Sequence, residues 1–154
     1  SSLQGRFLFP NSFLVRKWGV QRLASDFWYT FDMSDREIFL HLFEVAKQSK
    51  DPRGVVSGCL VQDGSILISA ASSDDGVQHS EDVLLKRALK QKIGTTYKTK
   101  LYSTLEPCNK RSQPGMVDCT TLVIDAGIKE VVYGAADPDH SEVTQQRFED
   151  AGIR

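Results

Sequence analysis

From Ser34 onward the chain switches repeatedly between an apolar period of about 3.6 residues and one of two. Ser34 precedes "DREIFLHLFEVAKQSK", in which Ile38, Leu42, Val45 and Ala46 share one stripe and Glu37 stands third. That spacing predicts a capping box and a helix over 35–49, ended by "DPRG". "VVSGCLVQ" and "SILISAAS" read as strands joined by Asp63-Gly64, a two-residue hairpin signal. After the polar "SDDGVQ", the segment "HSEDVLLKRALKQKI" brings Val83, Leu84, Ala88 and Leu89 to helical spacing. Acids at its start and lysines at its end suit the helix dipole. "KLYSTLE" is a strand, 117–126 a helix stopped by Gly127, "KEVVYGA" a strand, and "SEVTQQRFEDAG" a helix closed by Gly152. The chain stops where a further strand would begin.

The order α-β-β-α-β-α-β-α predicts an α/β fold in which helices sandwich a sheet reached by crossover connections. Residues 1–33 behave differently. Phe7, Phe9, Phe13, Trp18, Phe27, Trp28, Tyr29 and Phe31 are scattered among basic and polar residues without a period. The expectation is an irregular extension, with one helical turn around "VQRLASDF", docked through its aromatics onto a domain spanning 34–154.

Composition narrows the function classes. With 154 residues and 40% apolar content the chain suits one ordinary core. Lysine plus arginine (19) nearly balances aspartate plus glutamate (20), which disfavours bulk attraction to nucleic acid or an anionic membrane. No apolar run approaches the ~20 residues of a membrane span, and Pro10, Asn11 and Ser12 interrupt what would be a signal peptide. Three cysteines suit a reducing, cytoplasmic compartment, where a cysteine pair serves a metal or catalysis more often than a structural disulfide.

Within that frame His79, Glu81, Cys108 and Cys119 form one pattern. His79 opens a helix, Cys108 follows Pro107 after a strand, and Cys119 starts the next helix. In α/β sheets such positions meet on one edge. One imidazole and two thiolates give three ligands and leave a fourth tetrahedral position for water, the open arrangement of a catalytic zinc. The positive helix ends favour thiolates. Glu81, two residues after the histidine, suits the transfer of a proton from that water to a leaving amine. Singly, each residue has an ordinary explanation: a cap, a common Pro-Cys, dipole compensation. Cys59, in an apolar strand, reads as core.

"HSE", "TLEPC" and a second cysteine resemble the zinc-dependent cytidine deaminase superfamily, whose signature is H-x-E with P-C-x-x-C. Here ten residues intervene between the cysteines rather than two. That longer spacing, with "STLEPCNKRSQPGMVDC", "DAGIKEVVYGAADPD" and "FEDAGI", resembles the pyrimidine deaminases of riboflavin biosynthesis over residues 55–154. The resemblance implies a three-layer α-β-α sandwich around a mixed sheet, a zinc ion, a homodimer, and hydrolytic loss of an amino group from a phosphorylated diaminopyrimidinone. No reductase follows within the sequence, so the likeness is to the fungal-type deaminases or deaminase domains, which act on the ribitylamino form. Lys110 and Arg111, in the loop between the cysteines, are expected near the substrate phosphate. Asp137 and Asp139, in the acidic-Pro turn, are expected near sugar hydroxyls. Two departures concern the base: "DPRG" stands where the bacterial branch has Asn-Pro, and "SSDDGVQ" lacks its histidine ahead of H-x-E. The competing expectations are a nucleoside or nucleic-acid deaminase of the same superfamily, and a module in which zinc only staples a loop. Glu81 argues against the latter, because a structural site needs a fourth protein ligand rather than a base.

Overall fold

The structure is a computed structural model that describes residues 20–22, 28–30 and 32–154. Two short strands, β1 (Val20–Arg22) and β2 (Trp28–Thr30), pair antiparallel as a ribbon. Val20–Arg22 is therefore extended rather than part of the expected helical turn. The rest of the aromatic segment, including Phe7, Phe9, Phe13, Trp18, Phe27 and Phe31, lies outside the described residues.

The main sheet has four strands: β3 (Ser57–Gln62), β4 (Ser65–Ala71), β5 (Lys100–Leu105) and β6 (Glu130–Ala135). Their order is β4-β3-β5-β6; β3 is antiparallel to both neighbours, and β5 and β6 are parallel. The sheet is mixed, as the resemblance implied. Asp63 (φ 49°) and Gly64 (φ 71°) both adopt the left-handed conformation that a two-residue hairpin turn requires. Gln62 and Ser65 consequently pair directly. Beyond β6, the Arg154 N–H donates to the Lys129 carbonyl (3.0 Å) and the Val131 N–H to the Arg154 carbonyl (2.8 Å). That is the bonding of a parallel neighbour, starting where the sequence suggested another strand.

Helices cover both faces: α1 (Asp35–Ala46), α2 (Ser80–Lys90), α3 (Cys119–Asp125) and α4 (Ser141–Asp150). The alternation of side chains along β3 and β5 sorts the core into two layers. Leu60 and Leu101 point to one face with Leu84 of α2, Val123 of α3 and Phe148 of α4. Cys59, Val61 and Tyr102 point to the other, against Ile38 and Leu42 of α1. The result is a three-layer α/β/α sandwich.

The capping box on α1 is present in full: Ser34 Oγ accepts the Glu37 N–H, and the Glu37 carboxylate accepts the Ser34 N–H at 3.0 Å. Ile38, Leu42, Val45 and Ala46 form its buried stripe. On α2 the stripe is rotated from the expected one. Ser80, Glu81, Leu84 and Ala88 face inward, while Leu89 is 81% exposed. The i, i+3 step from Glu81 to Leu84 and the i, i+4 step on to Ala88 fix that face, and Leu89 lies about 100° beyond Ala88. Helix α3 begins two residues later than expected because Asp118, rather than an earlier residue, caps it.

Candidate active site

Because β3 opposes both β4 and β5, and β6 parallels β5, strands β4, β5 and β6 all deliver their carboxyl ends to one edge. His79 arrives there as the N-cap residue of α2, with its side chain making no cap bond and so free for another role. Cys108 follows β5 by way of Glu106 and Pro107. Cys119 is the first residue of α3.

These three side chains converge. His79 Nδ1 lies 3.4 Å from Cys108 Sγ and 3.5 Å from Cys119 Sγ. All three donor atoms fall within 4.8 Å of one another. Tetrahedral zinc bonded to one imidazole nitrogen and one thiolate sets those two atoms ~3.6 Å apart, so the cradle fits the ion. Of the two thiols, Cys108 is already biased towards the thiolate form. The hydrogen bond from Cys119 holds Cys108 down to about 4, and Cys119 is correspondingly pushed up. The pair thus shares one proton, and the Cys119 N–H also donates to the Cys108 sulfur at 3.4 Å.

Glu81 is only 3% exposed, yet it lines the same cleft as His79 and Cys108. Its Oε1 accepts a 2.7 Å hydrogen bond from Ser103 Oγ, a fully buried hydroxyl on β5. One carboxylate oxygen is thereby anchored. A carboxylate held beside a metal cradle can accept and return a proton.

The start of α3 is fixed from several directions. Asp118 accepts the Thr121 N–H (2.9 Å) and pairs with Arg147 of α4 (2.9 Å). The Cys108 carbonyl accepts from the Thr120 backbone (2.9 Å) and hydroxyl (3.0 Å). The two cysteines are therefore tied together by backbone as well as by any ion between them.

Beside the cradle opens a cleft of about 250 Å³, lined also by Arg53, Glu106 and Asp137. Sequence reasoning passed over Glu106, which is buried and accepts from Asp137 N (2.7 Å) and Ser141 Oγ (3.0 Å). It ties the turn after β6 to α4. It missed Arg53 as well. The guanidinium grips Asp51 through Nε (3.1 Å to Oδ1) and Nη2 (2.6 Å to Oδ2). Burial pushes the Asp51 carboxyl up, but the bonds from Arg53 and Ser72 prevail and hold it down to about 2.

The four expected substrate contacts fare differently. Asp137 lines the cleft, but its carboxylate accepts the Asp139 N–H (2.9 Å) and faces His140 Nδ1 (3.3 Å). Asp139 stands outside, in an exposed cluster with Asp137 and His140. Lys110 is exposed and does not line the cleft. Arg111 turns to the cradle from another side. Its Nη2 donates to the Val77 carbonyl and contacts Met116 Sδ at 3.5 Å, while Nη1 lies 3.9 Å from Cys119 Sγ.

Known proteins resemble this chain in sequence and in fold. The sequence pattern described as "Cytidine and deoxycytidylate deaminase zinc-binding region" matches residues 33–135. The Schizosaccharomyces pombe diaminohydroxyphosphoribosylamino-pyrimidine deaminase is 31% identical over 107 residues, 67% of this chain and 26% of that protein. Human deoxycytidylate deaminase is 27% identical over 135 residues, covering 72% of this chain and 71% of that one. A crystal structure of the Thermotoga maritima diaminohydroxyphosphoribosylaminopyrimidine deaminase/5-amino-6-(5-phosphoribosylamino)uracil reductase superimposes with a TM-score of 0.66 at 30% identity. It covers 75% of this chain and 34% of that one, so the chain spans about a third or less of the length of these two proteins. With the sandwich fold, the His-Cys-Cys cradle and a match over two thirds of its length, the chain belongs to the zinc-binding cytidine and deoxycytidylate deaminase family.

Proposed function

We propose that residues 34–154 form a zinc-dependent deaminase domain that hydrolytically removes the amino group from a phosphorylated diaminopyrimidinone, in its ribitylamino form. The observation that carries this is the convergence of His79 Nδ1 on Cys108 and Cys119 (3.4 and 3.5 Å), with buried Glu81 on the same cleft wall. His79, Cys108 and Cys119 would hold the zinc, which when bound activates water as a Lewis acid.

Glu81 takes the proton released as water adds to the amine-bearing ring carbon and returns it to the nitrogen that departs as ammonia; the hydroxyl left on that carbon becomes the carbonyl as its remaining proton passes to the adjacent ring nitrogen. Ser103 anchors Oε1 and leaves Oε2 for that traffic. The apolar part of the cleft wall, Val56, Leu105 and Ala135, suits the flat face of a pyrimidine ring. Every side chain in the scheme comes from within 34–154.

A second reading is a pyrimidine nucleotide deaminase. The match to human deoxycytidylate deaminase favours it, because that match spans most of the relative's length. Ammonia release decides between them. The zinc-loaded protein should turn over the ribitylamino diaminopyrimidinone phosphate much faster than its ribosylamino counterpart or deoxycytidine monophosphate. Preference for deoxycytidine monophosphate would establish the second reading instead.

A further inference from the structure

Among the described residues, the cleft has three carboxylates on its wall, Glu81, Glu106 and Asp137, and a single lysine or arginine, Arg53. An anionic substituent entering such a site needs a cation to offset those acids. Lys110 and Arg111 do not line the cleft, and Arg111 has given Nη2 to the Val77 carbonyl and Met116 and set Nη1 beside the Cys119 sulfur.

Arg53 is set up differently. Asp51, whose side chain has no exposed surface, fixes Nε and Nη2 from behind, and a third contact reaches the Gly76 carbonyl at 3.4 Å. Nη1 has no partner among the described residues. The Asp51 loop is itself bolted to the loop that leads into His79. Ser49 Oγ donates to the Ser73 carbonyl (3.2 Å), and the Lys50 N–H donates to Asp74 (2.9 Å). The guanidinium is thus held on a frame shared with the metal cradle, about one third of its surface still open to solvent. A fork oriented before the ligand arrives loses little entropy on binding it.

We infer that Arg53, held by Asp51, is the residue that recognises the substrate's phosphate monoester. This rests on the reading of the cleft as the pyrimidine site. Charge-assisted bonds from one guanidinium should then contribute about tenfold or more to affinity.

The test measures affinity rather than turnover, by calorimetry on zinc-loaded protein carrying Glu81→Gln to prevent reaction. Two ligand pairs differ only in the phosphate: deoxycytidine monophosphate against deoxycytidine, and the ribitylamino diaminopyrimidinone with and without its phosphate. With Arg53 present, the phosphate should improve Kd about tenfold or more in at least one pair. Arg53→Gln alone would strand the buried Asp51 carboxylate, so the informative variant is Asp51→Asn with Arg53→Gln. There the preference should fall below about twofold, while zinc content stays at one per chain. Arg53→Lys, which keeps the ion pair but loses the fork, should reduce the preference severalfold. Lys110→Ala should leave it intact. An unchanged preference in either Arg53 variant overturns the inference and leaves Arg53 as a clamp between loops. So does its loss in Lys110→Ala, or the absence of any phosphate preference when Arg53 is present. Ammonia release is scored separately on protein with Glu81 intact. An Arg53-dependent preference without release from any pyrimidine would keep this assignment and remove the deaminase reading; release without that preference would do the reverse.

Discussion

Ser103 Oγ donates a 2.7 Å hydrogen bond to Glu81 Oε1, and both groups are buried. The bond crosses from β5 to the first turn of α2, so it fixes the carboxylate relative to the strand that leads to Cys108. Ser103→Ala removes a bond to a charged acceptor, worth about 1.5–3 kcal/mol. Turnover should fall about 10–100-fold in kcat with little change in KM, because the proposed function has Glu81 act on the reaction rather than on binding. Zinc content should be unchanged. Steady-state kinetics beside metal analysis checks this.

Asp118 caps α3 and meets Arg147, and its burden is the placement of Cys119. Asp118→Ala should cost about 1 kcal/mol of stability as a lost cap and strand the Arg147 partner. It should also release zinc to a chelator several times faster than the parent, although no ligand is altered. Competition against a chromogenic chelator reads the rate.

Asp51 gives a pH dependence with a defined sign. Its carboxyl is held down to about 2 from an ordinary 3.8 when folded. A depressed carboxyl adds stability that is present in full above the unfolded value and lost as pH falls through the folded one. At neutral pH the parent should exceed Asp51→Asn by roughly 2 kcal/mol. The difference should close between about pH 4 and pH 2. Urea unfolding across that range measures it.

Ser80 sits between His79 and Glu81, and its hydroxyl is buried without a hydrogen-bond partner among the described residues. Ser80→Ala removes that desolvated group at nearly constant volume. The variant should be as stable as the parent or more stable by up to about 1 kcal/mol, with activity retained. Thermal unfolding and ammonia release together test it.

What the sequence made legible follows from how local each signal is. The capping box of Ser34 and Glu37, the Asp63-Gly64 turn and the stripe of α1 depend on neighbours within four residues, and all three appear as read. The meeting of His79, Glu81, Cys108 and Cys119 in one place was readable because each stands at an element boundary and α/β topology gathers such boundaries on one edge. The Arg53–Asp51 fork hid in "DPRG", a stretch whose turn chemistry accounts for it without any site. Glu106 and Ser103 act across strands through partners 22–35 residues away, and spacing carries no trace of that. The side-chain direction of Arg111 was equally unreadable. A loop position fixes neither its hydrogen bond to Val77 nor its approach to Cys119.

If the cradle and Glu81 together make a deaminase, Glu81→Gln should stop turnover while sparing the metal and the fold. Parent and variant, each shown to hold one zinc per chain, should be compared for ammonia release from the phosphorylated diaminopyrimidinone. The variant should keep the metal and the fold and lose at least about 10²–10⁴-fold in kcat. Release by both proteins at similar rates would mean that Glu81 does not carry the proton, and release by neither that the cradle does not deaminate this pyrimidine.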